Sequence, residues 1–330
     1  MEILLNRTHC VDCIDGIGWL ESESIDCVIT SPPYFNLRDY HSEGQIGLEE
    51  TTEEYITRLA DVFDDIRRVL KNNGTLWIII GDSYASSMKG GARYYQKTKK
   101  YKQNTNTGAI ECTAIFQPQG EYKRKDLLGI PWMLAFEMRR RGWFLRQDII
   151  WEKPNAMPES VKDRCTRSHE YIFLFSKKRK YNFNQILEPA KYDGRTDTRL
   201  KGSHKYSQGV TGLTPQTFAA RGMERWPMSQ DGKFLRNARD VWNISVSHNT
   251  FNHFATFPEQ LATRIILAAS SEGGIVLDPF MGSGTTAVVA LRNRRKFIGF
   301  DISQEYVDIA NERVELEYKQ SKSNQINNGT

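Results

Sequence analysis

The stretch GIVLDPFMGSGTTAVVALRNRRKFIGFD, Gly274–Asp301, decides the fold. An apolar run closes on Asp278, a Gly-x-Gly turn follows at Gly282 and Gly284, then a helical stretch, then a second apolar run closing on Asp301. Apolar runs separated by a helix-length segment mark parallel strands joined by a helical crossover and covered on both faces. The same alternation recurs elsewhere. EILLNRTHC predicts a strand, VDCIDGI a short helix and CVIT, 27–30, a buried strand. From Thr52 onward Ile56, Leu59, Val62, Phe63, Ile66, Val69 and Leu70 fall at three-and-four spacing, which predicts a helix stopped by Asn72, Asn73 and Gly74 and followed by the strand TLWIII. LLGIPWMLAFEMRRRG predicts a helix ending at Gly142, ahead of a strand ending at Trp151 and another within SHEYIFLFS. A helix from Pro258 leads into Gly274, and a last one follows Asp301. This alternation means a three-layer α/β fold.

The turn after Asp278 is suited to a ligand. Glycine lets a ligand approach the backbone closely, and the helix behind it points free N–H groups outward. The lysine of a phosphate loop is missing and the spacing is wrong for GxGxxG. Asp301 stands about twenty residues on, where an acid in a βαβ unit takes a ribose hydroxyl pair. Asp278 is expected to aim a second acid into the same crevice. Two acids and a glycine turn fit a cationic nucleoside without phosphates, and S-adenosylmethionine is that molecule.

A second stretch, DCVITSPPYFNLRDY, Asp26–Tyr40, ends a buried strand on two prolines. Proline fixes φ, lacks an N–H and biases the preceding residue toward extended conformations, so Ser31-Pro32-Pro33 predicts a stiff exit. That exit presents the Ser31 hydroxyl, the Pro32 carbonyl and the Tyr34 ring together. Such a set suits a planar ring bearing an amino group.

With 330 residues, 39% hydrophobic and 26% charged, the chain has the composition of a soluble globular protein. No secretory leader or membrane-length apolar run is visible, which predicts a cytoplasmic protein. Five unevenly spaced cysteines predict reduced thiols, and the lone pair Cys10 and Cys13 lacks the second pair of ligands that zinc requires, so no metal is expected. Net charge is +5. MKGGARYYQKTKKYKQNTNTG, Met88–Gly108, carries no acid and interleaves tyrosines with basic residues, which predicts a mobile loop that orders on nucleic acid.

Taken together, the two motifs resemble those of DNA methyltransferases acting on exocyclic amino groups, in the permuted order called the β class. TSPPY, Thr30–Tyr34, resembles the family's [DNS]PP[YF] tetrapeptide. LDPFMGSGTT, Leu277–Thr286, resembles its cofactor motif, and HFATFPEQLATRII, His253–Ile266, resembles the helix preceding the cofactor strand. The prolines precede the glycine loop by roughly 250 residues, the β-class order. The resemblance implies a Rossmann-like S-adenosylmethionine-dependent methyltransferase fold with a mostly parallel seven-stranded sheet and an inserted DNA-recognition segment. It divides the chain into a catalytic half (1–84), a basic mobile loop (85–125), core continuation with target-pocket strands (126–184), a recognition insertion (185–240), a cofactor half (241–318) and a disordered tail (319–330). Ser31, Pro32, Pro33 and Tyr34 are then catalytic. Thr30, His253, Phe254, Thr256, Phe257, Asp278, Pro279, Phe280, Gly282, Ser283, Gly284, Thr285, Asp301 and Ile302 bind the cofactor. Related adenine enzymes often carry lysine where Phe257 stands, and the helix amides from Pro258, with His253, are expected to replace that cation.

The block WEKPNAMPESVKDRCTRSHEY resembles the family segment lining the target pocket, which implies roles for Trp151, Lys153, Pro154, Asn155 and Pro158. Arg195, Arg199, Lys201, Lys205, Arg221 and Arg225 are candidates for reading double-stranded DNA. Serine at position 31 mostly accompanies cytosine N4 methylation in the family, and aspartate adenine N6 methylation. The expectation is therefore an N4-cytosine enzyme acting on a flipped base, with N6-adenine the alternative; a cognate restriction endonuclease and a monomeric or homodimeric state are compatible with it. An RNA methyltransferase and a non-catalytic DNA-binding subunit are more remote. A release-factor glutamine methyltransferase would place asparagine before the prolines and the glycine loop ahead of them.

Overall fold

The computed structural model describes residues 5–37, 42, 44–85, 122–123, 125–190, 235–246 and 257–327. The basic loop from Met88 to Gly108, the arginines and lysines from Arg195 to Arg225, and His253, Phe254 and Thr256 lie outside them. The chain divides into two compact units, Met1–Asn184 with Asp240–Thr330, and Gln185–Arg239. In the smaller, β6 (Leu187–Pro189) pairs antiparallel with β7 (Leu235–Asn237), and Glu188 bridges Arg236 and Arg239.

The larger unit is built on an eight-stranded sheet among the described residues. Its strands are β1 (Arg7–Cys10), β2 (Ile25–Thr30), β3 (Leu70–Ile80), β4 (Phe144–Glu152), β5 (His169–Ser176), β8 (Val241–Asn243), β9 (Ile275–Asp278) and β10 (Lys296–Asp301). The order across the sheet is β1-β10-β9-β2-β3-β5-β4-β8, and β5 alone runs against its neighbours. Seven strands were expected. The eighth, β8, is a three-residue edge strand parallel to β4, too short to announce itself in the sequence.

The central strands explain the continuous apolar runs. Cys27, Val28 and Ile29 of β2, Leu76 to Ile80 of β3 and Val276 and Leu277 of β9 are buried because helices cover both faces. On one face α1 (Cys13–Gly18), α2 (Thr52–Val69) and α3 (Ile130–Arg140) pack in succession. On the other, α4 (Glu259–Ala269), α5 (Thr285–Arg292) and α6 (Gln304–Asn327) do the same. Thr51 caps α2 by accepting the Glu54 N–H at 3.1 Å, and its apolar stripe from Tyr55 to Val69 is buried.

Two expectations need correction. Helix α2 stops at Val69 and β3 begins at once, so Asn72, Asn73 and Gly74 lie within the strand and not at a helix end. Gly74 is needed for close approach instead: a Cβ there would stand 2.8 Å from the Asp26 carbonyl oxygen. At the other end α6 continues to Asn327, where a disordered tail was expected from residue 319.

Candidate active site

Strands β2 and β9 lie side by side, but β2 continues to β3 on one side while β9 continues to β10 and β1 on the other. At such a reversal a crevice opens beyond the carboxyl ends of the strands. The two ends are joined directly. Thr30 donates its hydroxyl to Asp278 Oδ1 at 2.7 Å, the Phe280 N–H donates to the same oxygen at 3.1 Å, and Thr286 donates to Oδ2 at 2.6 Å. Asp278 is 1% exposed and lies beneath the glycine turn. The expectation that it aims into the crevice is corrected: its oxygens are occupied in tying β9 to β2 and α5. Thr30 and Ser283, buried beside it, do not line the crevice either.

Burial pushes the Asp278 carboxyl up to about 6, against the hydrogen bonds from Thr286 and Thr30. The folded protein therefore retains a proton that the unfolded chain releases, and this residue's contribution to stability is lost as pH rises from about 4 toward 6. The parent is expected to lose stability relative to Asp278→Asn across that window, by up to about 3 kcal/mol. Urea denaturation of both proteins at several pH values checks this.

The glycine turn is held from below and behind. Gly282 has φ 55° and donates its N–H to Asp301 Oδ2 at 2.8 Å, while the Ser303 N–H donates to Oδ1 at 2.9 Å. Asp301 is raised above the usual carboxylate range by burial, and these two amides oppose the shift. Gly284, at φ 83°, caps α5 without a side chain, and a Cβ there would meet Ala310 Cα at 2.9 Å. Its bare α-carbon thus serves the packing of α6. Arg313 of α6 donates to the Ser283 carbonyl at 2.6 Å and to Glu259 Oε1 at 3.1 Å, locking the turn between α4 and α6.

The proline exit faces this turn. Tyr55 of α2 donates its hydroxyl to the Pro33 carbonyl at 2.7 Å, whereas among the described residues no donor engages the Pro32 carbonyl. The Tyr34 hydroxyl donates to Glu170 Oε2 at 2.9 Å. Burial first, and then the Glu170 charge, push the Tyr34 phenol well above its ordinary value, so it remains a donor. Lys153 pairs with the other Glu170 oxygen and lies 4.3 Å from the centre of the Trp151 ring. Trp151 in turn donates its indole N–H to the Ile244 carbonyl at 2.8 Å.

One cleft brings the two motifs together. It is lined by Ser31, Pro32, Pro33 and Tyr34, by Trp151 and Lys153, and by Phe257, Pro279, Phe280, Gly282, Thr285, Asp301 and Ile302. Pro154, Asn155 and Pro158 are not in its wall. Asn155 instead exchanges two hydrogen bonds with the Val246 backbone, at 2.9 and 2.8 Å, and so holds Val246 at the cleft.

Asp12, Cys13 and Glu170 also line the cleft and were missed in the sequence. Asp12 caps α1 by accepting the Ile14 N–H at 2.8 Å, and β1 lies beside β10, which brings Asp12 to the same edge as Asp301. Its signal was an Asp directly after a strand and before a short helix. Cys13 is a neutral thiol, raised to about 12 chiefly by burial. Among the described residues, three acids and one lysine line the cleft, and that lysine is already paired with Glu170. A cation-poor, acid-rich wall with apolar Phe257, Phe280 and Ile302 fits a sulfonium nucleoside and disfavours phosphates.

A doubly wound sheet with this cleft at its switch point defines the class, an S-adenosylmethionine-dependent methyltransferase fold. The chain belongs to the N6/N4 DNA methylase family, whose model matches residues 25–312. It is 43% identical over 305 residues to the type II methyltransferase M.SmaI of Serratia marcescens, covering 92% of this chain and 88% of that one. It is 40% identical to the type II methyltransferase M.Cfr9I of Citrobacter freundii, with 93% and 86% covered. Among solved structures, the cytosine-N4-specific PvuII DNA methyltransferase superposes with a TM-score of 0.60 at 19% identity, covering 93% of this chain and 85% of that one. A DNA modification methylase of Thermus thermophilus, TTHA0409, complexed with S-adenosyl-L-methionine, gives 0.55 at 21% identity, with 94% and 93% covered.

Proposed function

We propose that the chain methylates the N4 amino group of cytosine in duplex DNA, using S-adenosylmethionine. The observation that carries this reading is the shared cleft: Ser31 and the Pro32 carbonyl, which no donor among the described residues engages, stand on one wall, and Asp301 with the Gly282 turn on the other. When bound, S-adenosylmethionine supplies an electrophilic methyl group on a sulfonium. Asp301 accepts the ribose hydroxyls on lone pairs left by the Gly282 and Ser303 amides, and Phe257, Phe280 and Ile302 supply apolar walls.

An exocyclic amino nitrogen is a poor nucleophile because its lone pair is delocalised into the ring. The Pro32 carbonyl and Ser31 oxygen would accept its N–H groups and stabilise the positive charge that develops as the nitrogen takes the methyl group; the methyl–sulfur bond breaks to leave the neutral thioether, and the surplus amino proton passes to solvent. Tyr34 offers its ring face to the base, which must leave the duplex to reach these groups. Serine at position 31 favours cytosine, and the structural likeness to the cytosine-N4-specific PvuII enzyme is consistent with it. Adenine N6 is the second reading, because the family covers both nitrogens.

The type II names of the relatives support a role alongside a restriction endonuclease. Sequence specificity is assigned to residues 185–240 and to the basic loop, with Arg195, Arg199 and Lys201 as DNA contacts. The test is incubation with methyl-labelled S-adenosylmethionine and unmethylated duplex DNA, with RNA in parallel, followed by digestion to nucleosides and mass spectrometry. Label in N4-methylcytosine is expected; N6-methyladenine would correct the base, and label confined to RNA would overturn the assignment of the polymer.

A further inference from the structure

Glu170 has no role in the mechanism above, yet two cleft residues are held by it. It lies at the start of β5, in register with Trp151 of β4, and its side chain is 17% exposed. One carboxylate oxygen accepts the Tyr34 hydroxyl at 2.9 Å. The other holds Lys153, whose ammonium lies 4.3 Å from the Trp151 ring centre. The backbone is shaped around the pair: a Cβ on Gly81 would stand 2.9 Å from Tyr34 Cε2 and 3.3 Å from Glu170 Cγ. A segment beyond β2, the end of β4 and the start of β5 are thus fixed to a single side chain.

We propose that Glu170 is a positioning residue of the target-base pocket, setting the tilt of the Tyr34 ring and the place of the Lys153 ammonium. The inference rests on the methyltransferase reading. Because the phenolic hydrogen is committed to Glu170, Tyr34 presents a ring face to the base and leaves polar contact with its amino group to Ser31 and Pro32. Lys153 keeps two further protons for a ring nitrogen or carbonyl of the base, at a position Glu170 fixes. Removing the carboxylate releases the ring and the ammonium together. A misplacement of about 1 Å at a reacting centre costs about 10²-fold in rate.

The test compares the parent with Glu170→Ala, Glu170→Gln, Tyr34→Phe and the Tyr34→Phe/Glu170→Gln double variant. Transfer from labelled S-adenosylmethionine to unmethylated duplex DNA of high sequence complexity is measured beside cofactor affinity by calorimetry. In Glu170→Ala, kcat should fall about 10²-fold with cofactor affinity within about twofold of the parent. Glu170→Gln, which can still accept the Tyr34 hydroxyl, should recover part of that loss. The double variant should be slower than Tyr34→Phe by less than the loss Glu170→Gln causes on its own, since only the Lys153 contact is then left for Glu170 to hold. Parent-like kcat in Glu170→Ala, additive losses in the double variant, or a parallel fall in cofactor affinity would each overturn the inference while leaving the parent's activity intact. A parent that transfers no methyl group would instead sink the underlying reading, and this inference with it.

Discussion

Replacing Tyr34 with alanine is expected to slow methyl transfer by roughly 10²- to 10³-fold while S-adenosylmethionine binds nearly as in the parent. The loss has two sources. Stacking of a base on an aromatic ring is worth about 1–3 kcal/mol, and the alanine variant forfeits it. The same change strips Glu170 of its phenol donor, so the base is seated against a wall that has lost its shape. Cofactor affinity is spared because Asp301 and the Gly282 turn are held by their own amides and by Arg313, none of which touches Tyr34. Calorimetry with the cofactor and single-turnover transfer to DNA separate the two effects. Undiminished transfer would remove Tyr34 from the mechanism.

Asp301→Ala is expected to act in the opposite sense, weakening S-adenosylmethionine binding about 10²-fold while preserving turnover at saturating cofactor. Hydrogen bonds to a charged group contribute about 1.5–3 kcal/mol each, and this carboxylate is proposed to hold the ribose while it accepts from Gly282 and Ser303. The variant loses the ligand's anchor and the brace of the glycine turn together. Asp301→Asn keeps an acceptor for one amide and should fall between the two. The signature is a raised KM for the cofactor with kcat largely kept; a fall in kcat alone would place Asp301 in the chemistry and not in binding.

These two residues were legible in the sequence for the same reason. Each stands at or just beyond the end of an apolar run that can only be a buried strand, where the chain stops the strand abruptly. Where the sequence misled, a local signal was overruled by packing. Gly74 after a helical stretch looked like a stop, yet the bare α-carbon answers the approach of β2. Asp278 at a strand end looked like a ligand group, yet Thr30 and Thr286 satisfy it in the interior, a pairing that spans 248 residues in the first case. Glu170 and Asp12 were missed because their meaning lies in register. Glu170 is the second residue of a mainly apolar strand, and only the reversed pairing of β5 with β4 sets it across from Trp151. Asp12 reaches the cleft only because β1 lies beside β10, where Arg7 pairs with Ile298 from the far end of the chain, so the permuted order hides the contact.

The central claim is that the proline exit and the glycine turn form one reaction site. A crystal structure of the protein with S-adenosylmethionine tests it most directly. The predicted result is a cofactor with its ribose hydroxyls on Asp301 and its methyl group on the Ser31 and Pro32 side of the cleft. A cofactor bound elsewhere, or one whose methyl group is walled off from Ser31 and Pro32, would contradict it.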